Sequence, residues 1–266
     1  MTLRLVHLSD IHFGMEDKGA IEAALAMTVD LAPSLTLVTG DLTLAGRTAE
    51  FVAARAWLDR LPKPVLATPG NHDTPYYNLF VRSFSPFHRW RRYIGADDSA
   101  VYVGPGLSVA AINSARGAQL RVNWAQGAID LEAIRHVATR LGAAGDSLRV
   151  FACHHPLVDV EGGPGGGVRR GRAASRTLCE AGVDLILSGH VHMPFARPLP
   201  YCDGLSYVAG AGTLSRRTRG APATFSVIEA EADTITVTAH AWRGPRFESF
   251  SSWDFPRRGG GAPASN

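Results

Sequence analysis

Lysine is nearly absent from this 266-residue chain: Lys18 and Lys63 are the only two, so arginine supplies almost all of the positive charge. The totals, 27 Lys+Arg against 24 Asp+Glu, leave a formal net charge of +3, too mild a tilt to indicate partnership with long nucleic acid. Cysteine is scarce as well. Cys153, Cys179 and Cys202 are an odd, widely spaced set that matches neither a disulfide framework nor a Cys-x-x-Cys metal site, and buried reduced thiols are the expectation. No apolar run is long enough to span a bilayer. Met1-Thr2-Leu3-Arg4 runs straight into a strand pattern without the charged and apolar regions of a signal peptide, and a cytoplasmic protein is expected. No repeat divides the sequence, and its 45% hydrophobic content is enough for one full core.

Short β-branched and apolar runs are abundant. Leu3–Leu8, Leu35–Thr39, Val65–Thr68, Leu148–Cys153 and Leu185–Ser188 each predict a buried strand, with amphipathic helices predicted over Ile21–Leu31, Ala49–Leu61, Ile129–Leu141 and Ala173–Ala181. Antiparallel strands are predicted over Ala100–Val103 and Ser108–Ile112, around the Gly104-Pro105-Gly106 turn, and over Ser206–Ala209, Thr224–Ala230 and Thr234–Ala239. The pattern predicts an α/β fold in four layers, two mixed β-sheets packed face to face and flanked by helices. One domain is expected over residues 1–254, with a flexible basic, glycine-rich tail over 255–266.

Each of the five buried strands stops immediately before a polar motif: Asp10-Ile11-His12, Gly40-Asp41, Gly70-Asn71-His72-Asp73, His154-His155 and Gly189-His190-Val191-His192. Ligands in open α/β sheets bind beyond the carboxyl ends of the strands, so motifs far apart in sequence can converge there. Carboxylate, imidazole and amide donors suit borderline or hard metal ions. Period-two spacing puts Asp10 with His12, and His190 with His192, on one face. Gly40 and Gly189 would allow the backbone close to the site, and the Asp41 carboxylate has two oxygens with which to bridge two ions. Asn71 offers an amide oxygen beside His72, whose imidazole suits a general acid.

In order and spacing these motifs resemble the calcineurin-like metallophosphoesterase superfamily over roughly Leu3 to Leu214. Ser9-Asp10-Ile11-His12-Phe13, Gly40-Asp41-Leu42-Thr43 and Cys153-His154-His155-Pro156-Leu157 are most similar to bacterial class III cyclic nucleotide phosphodiesterases and glycerophosphodiesterases. The resemblance implies two metal ions drawn from iron, manganese, zinc or cobalt. Asp10, His12, Asp41 and His192 would bind one, and Asp41, Asn71, His154 and His190 the other. By the same resemblance, a water activated between two ions about 3.5–4 Å apart attacks the phosphorus of a small phosphodiester, a cyclic nucleotide foremost. His72 would assist the leaving oxygen, and His155 would turn to the opposite face. Glycerophosphodiesters, phosphate monoesters and nucleic acid stand as alternative substrates, a non-catalytic metal protein as the remote one, and a homodimer is implied. Leu42-Thr43 replaces the Asp-Arg-Gly continuation of the superfamily's protein phosphatases, which leaves the partner that orients His72 open, with Asp73 adjacent.

Two further segments bear on substrate. Tyr76–Gly95 interleaves Phe80, Phe84, Phe87, Trp90 and Tyr93 with Arg82, Arg89, Arg91 and Arg92, a composition that fits either a nucleotide platform or a core helix with a basic face. Glu161–Arg172 is glycine-rich and predicts a mobile loop, which is either a solvated surface loop or one whose Arg169, Arg170 and Arg172 close over an anionic substrate.

Overall fold

A computed structural model describes residues 2–95, 99–119, 123–160 and 168–259. In chain order the first elements are β1 (Leu3–Leu8), α1 (Lys18–Leu31), β2 (Leu35–Thr39), α2 (Thr48–Leu58), β3 (Val65–Thr68), α3 (Leu79–Phe84) and α4 (His88–Tyr93). There follow β4 (Ser99–Gly104), β5 (Leu107–Ile112), α5 (Leu131–Gly142), β6 (Leu148–Ala152), α6 (Gly171–Glu180) and β7 (Leu185–Ser188). The chain then adds β8 (Phe195–Pro198), β9 (Tyr207–Gly210), β10 (Thr224–Ala230), β11 (Thr234–Trp242) and β12 (Phe247–Pro256).

The strands form two six-stranded mixed sheets, ordered β12-β11-β10-β1-β2-β3 and β4-β5-β6-β7-β9-β8. β1, β2 and β3 run parallel in the first, as do β5, β6, β7 and β9 in the second. Both faces of the central strands are covered, which is why they read as continuous apolar runs. Leu5, Leu35 and Leu37 pack between the sheets against Val109, Val150, Leu187, Ile228 and Val237. The alternate residues Val6, Leu8 and Val38 pack outward against Phe51, Trp57 and Trp90. On the other outer face Phe151 and Ile186 meet Ile134, Val137 and Leu178. In α5 the buried positions Ile134, Val137, Ala138 and Leu141 repeat at helical spacing, and the Asp130 side chain caps its start by accepting from the Glu132 N–H. This is the four-layer arrangement the sequence predicts.

Three features differ from expectation. β8 is short, and β12 is an edge strand of mixed polarity whose pattern carries little periodic signal. β12 also passes the domain boundary expected at 254: Phe255 is buried and stacks on Tyr207 with centroids 4.3 Å apart, and Arg258 pairs with Asp203 at 2.6 Å. Residues 260–266 of the expected tail lie outside the described residues, as does Glu161–Gly167 of the expected mobile loop. The third difference corrects the cysteine reading. Cys179 and Cys202 form a disulfide across Cα atoms 6.1 Å apart, and Cys153 alone is a free, buried thiol. Their 23-residue separation gives no hint of this, because the end of α6 meets the turn after β8 only once β7 has been laid between them. The cysteines therefore lend no support to a reducing compartment. Among the described residues no helix is long and apolar enough to cross a membrane.

Candidate metal centre

Asp10 and His12 follow β1, Asp41 follows β2, Asn71 and His72 follow β3, His154 follows β6, and His190 and His192 follow β7. The first three strands belong to one sheet and the last two to the other, so the site straddles the seam of the sandwich. Close approach across that seam depends on glycine. A Cβ at Gly189 would lie 2.4 Å from Asp10 Oδ2, and one at Gly40 would lie 2.7 Å from His154 Nδ1. Backbone strain concentrates at the same place. Of eight described non-glycine residues with positive φ, five are Asp10, His12, Asp41, His190 and His192. At about 1–3 kcal/mol each, such conformations persist where the surrounding structure holds them for function.

Main-chain carbonyls set the orientation of the imidazoles. His12 Nδ1 lies 3.2 Å from Thr43 O, His154 Nδ1 2.7 Å from Thr39 O, and His192 Nδ1 2.5 Å from Arg217 O. A carbonyl can only accept, so each Nδ1 carries the hydrogen and each Nε2 is left to face the interior of the site. There they meet other acceptors. His192 Nε2 is 2.9 Å from Asp10 Oδ1, which has no hydrogen-bond partner, and 3.3 Å from His12 Nε2. Asp41 Oδ2 stands between two groups, 3.8 Å from His12 Nε2 and 3.4 Å from His154 Nε2, and the latter nitrogen is 3.2 Å from Asn71 Oδ1. Lone pairs converging on a buried gap require a cation, and the donor set fits a metal ion. Asp10, His12, Asp41 and His192 could hold one, since their ligand atoms all lie within 4.8 Å of one another.

The charges agree with this. Burial lowers His12 and His190 to about 3, keeping both neutral. Burial alone would raise the Asp10 and Asp41 carboxyls, but the neighbouring histidines, His192 for Asp10 and His154 for Asp41, hold them below the usual range. His154 is the exception among the imidazoles. Burial opposes its protonation, yet Asp41 outweighs burial and raises it to about 9, so in metal-free protein a proton fills part of the gap.

His155 also lies near, its ring 4.6 Å from that of His190 and not on the opposite face, because β6 has ended before it. Distance alone would group it with His154 and His190 around an ion. Its nitrogens are both taken, however: Nε2 donates to Ala125 O at 2.8 Å and Nδ1 accepts from Ser114 Oγ at 2.9 Å. It braces the site.

His72 sits at the open side. Its Nδ1 donates to Leu44 O at 2.6 Å, and its Nε2 is 3.0 Å from Nη1 of Arg217. Leu44 O is therefore the group that orients this ring. Asp73 points away and accepts from the N–H groups of Leu42, Thr43 and Gly70 and from Thr43 Oγ1. The sequence reading missed Arg217, since no motif reaches it.

The aromatic segment is divided between core and surface. Phe87 and Trp90 are core, whereas Tyr76 is exposed and stacks parallel to His72 with centroids 6.3 Å apart. Arg82 is buried, lying against Tyr76 and Trp124 with Nε donating to Gly117 O. The three loop arginines are elsewhere. Arg170 stands at the start of α6 without a capping side-chain bond, Arg172 lies over Tyr201, and Arg169 and Arg170 line a cavity with Arg116 and Asp130. Among the described residues, none of the three makes a hydrogen bond or ion pair to the centre.

A probable cyclic nucleotide phosphodiesterase of Synechococcus sp. is 27% identical over 207 residues, covering 73% of this chain and 75% of that protein. Purple acid phosphatase PPD1 of yellow lupin superposes with a TM-score of 0.72 at 13% identity, over 97% of this chain and 54% of that one. This chain thus spans about half the length of the lupin enzyme. A dimetal phosphatase of Danio rerio superposes with a TM-score of 0.70 at 10% identity, over 96% and 99%. These two likenesses establish the fold. Residues 3–194, which carry all five motifs, match the calcineurin-like phosphoesterase family, and the chain belongs to that family.

Proposed function

We propose that this protein is a dinuclear-metal hydrolase of small phosphodiesters, with cyclic nucleotides the favoured class. The observation that carries the reading is the buried cluster of carboxylate, imidazole and amide ligand atoms divided by Asp41 Oδ2. Asp10, His12, Asp41 and His192 would hold one ion and Asp41, Asn71, His154 and His190 the other. Two such ions supply Lewis-acid polarisation of phosphoryl oxygens and a water of lowered pKa. The chain's own residues do the rest. Asp41 Oδ1 accepts from the His72 N–H at 2.8 Å and ties the His72 loop to the centre. His72 is held at the rim, where a leaving oxygen would emerge, and Tyr76 extends a flat face beside it. A planar base could lie on that face. The name of the Synechococcus relative supports the cyclic-nucleotide choice.

The test is a panel of cyclic nucleotides, glycerophosphodiesters, aryl mono- and diesters and single-stranded DNA, with metal-reconstituted protein. At least one cyclic nucleotide or other small diester is expected to exceed every monoester in kcat/KM. A monoester that exceeds every diester overturns the reading.

Metal uptake should also depend on pH in a definite direction. The His154 imidazole, at about 9, carries a proton in metal-free protein at neutral pH, and an ion on its Nε2 must displace that proton. Affinity is therefore expected to rise as pH increases toward 9 and to level off above it. Calorimetry in buffers of different ionisation enthalpy should register the released proton. Affinity independent of pH, with no proton release, would remove His154 from the ligand set.

A further inference from the structure

We propose that Arg217 binds the substrate's phosphoryl group, an inference that rests on the phosphohydrolase reading above. The residue lies outside the stretch matched to the family and in no motif, yet it reaches the rim of the centre. Its backbone is anchored there by a chain of hydrogen bonds. Thr213 Oγ1 donates to Asp10 O at 2.6 Å, Ser215 Oγ lies 2.7 Å from Thr213 Oγ1, and the Arg217 N–H donates to Ser215 Oγ at 3.2 Å. The Arg217 carbonyl in turn accepts from His192 Nδ1 at 2.5 Å. The start of the side chain is thus fixed relative to two of the ligand-bearing loops.

The guanidinium itself is poorly satisfied. It is half-buried, and among the described residues its one hydrogen bond goes to the neutral acceptor His72 Nε2, with no carboxylate in ion-pair range. A guanidinium offers five N–H donors in a planar fork, stays charged at all relevant pH and matches two oxygens of a phosphate. Four of those donors are unspent beside a site that would hold a phosphoryl group. Arg219, exposed two residues on, adds positive potential felt at His190. We therefore assign the Arg217–His72 contact to the substrate-free protein: the fork turns to the phosphoryl oxygens when substrate arrives, and His72 Nε2 is released to face the leaving oxygen.

The test uses the metal-loaded full chain, with Arg217→Ala and Arg217→Lys. Any residue at 217 keeps the backbone carbonyl that orients His192, so both variants should retain wild-type metal content. Inorganic phosphate, followed by calorimetry and as a competitive inhibitor, is expected to bind Arg217→Ala about tenfold or more weakly, the loss of one charged hydrogen-bonded contact. KM for a diester should rise in parallel, with kcat changed less, and Arg217→Lys should recover part of the phosphate affinity. Unchanged phosphate affinity and KM overturn the assignment. So does a loss confined to kcat for poor leaving groups, which would mean that Arg217 acts only by propping His72. If wild-type protein itself bound metal but neither phosphate nor any phosphoester, the underlying phosphohydrolase reading would fall, a result distinguishable from failure of the variants.

Discussion

Asp41→Ala is expected to lose both metals and to lower turnover by more than about a hundredfold, since substitutions of mere supporting groups at metal sites already cost about 10–100-fold. One carboxylate serves three purposes here. Oδ2 lies 3.8 Å from His12 Nε2 and 3.4 Å from His154 Nε2, while Oδ1 holds the His72 N–H. Removing it takes a ligand from each proposed ion and loosens the loop that carries His72. Asp41 also has φ 51°, a conformation asparagine tolerates far better than alanine. Asp41→Asn therefore keeps the turn while deleting the charge, and it should still lose most of its metal. Elemental analysis with turnover on an aryl diester decides the matter. Two equivalents of metal and normal turnover in Asp41→Ala would end the dinuclear assignment.

Asp73→Ala should produce the largest loss of stability, although its carboxylate touches neither the proposed ions nor the His72 ring. Four donors converge on it: Thr43 N at 2.8 Å, Gly70 N at 2.9 Å, Thr43 Oγ1 at 3.0 Å and Leu42 N at 3.3 Å. Thr43 Oγ1 keeps His72 O as an acceptor at 3.0 Å, but the three N–H groups left unpaired in the interior would cost about 1–3 kcal/mol each, and the burial of the carboxylate offsets part of the total. Burial, followed by Asp41, raises the Asp73 carboxyl to about 7, which shows that its own burial is unfavourable. A net loss of about 4–6 kcal/mol is expected in urea unfolding of metal-free protein. Activity should fall with it, because the same carboxylate joins the turn after β2 to the turn after β3. A change below about 1 kcal/mol, with activity retained, would mean that water replaces the carboxylate without consequence.

Much of this centre was legible because ligand types and strand ends are local properties. A residue such as His190 announces itself through Gly189 before it and His192 after it, and the buried run Leu185–Ser188 places it at a strand end. The central sheets were legible for the same reason. Arg217 was not, since its importance lies in a loop after β9 folding back over β1 and β3, a fact of tertiary geometry alone. Leu44 was equally hidden: its contribution is a carbonyl that any residue possesses. The fork in the reading of Tyr76–Gly95 could not be resolved by composition, because Trp90 and Tyr76 are both aromatic and only packing separates core from rim. Arg169, Arg170 and Arg172 drew notice through their charge and their nearness in sequence to His154, which say nothing of where their side chains lie.

The atoms that orient His12, His72, His154 and His192 are the carbonyl oxygens of Thr43, Leu44, Thr39 and Arg217. Because every amino acid brings the same carbonyl, mutational drift at those four positions leaves the carbonyl contacts chemically unchanged, although a variant at 217 also removes the guanidinium contact to His72 Nε2. Altering how these rings are presented requires insertion, deletion or grafting of whole turns. A laboratory lineage seeking a new metal preference should therefore gain more from exchanging loop lengths after β2 and β9 than from saturating the residues that surround the histidines.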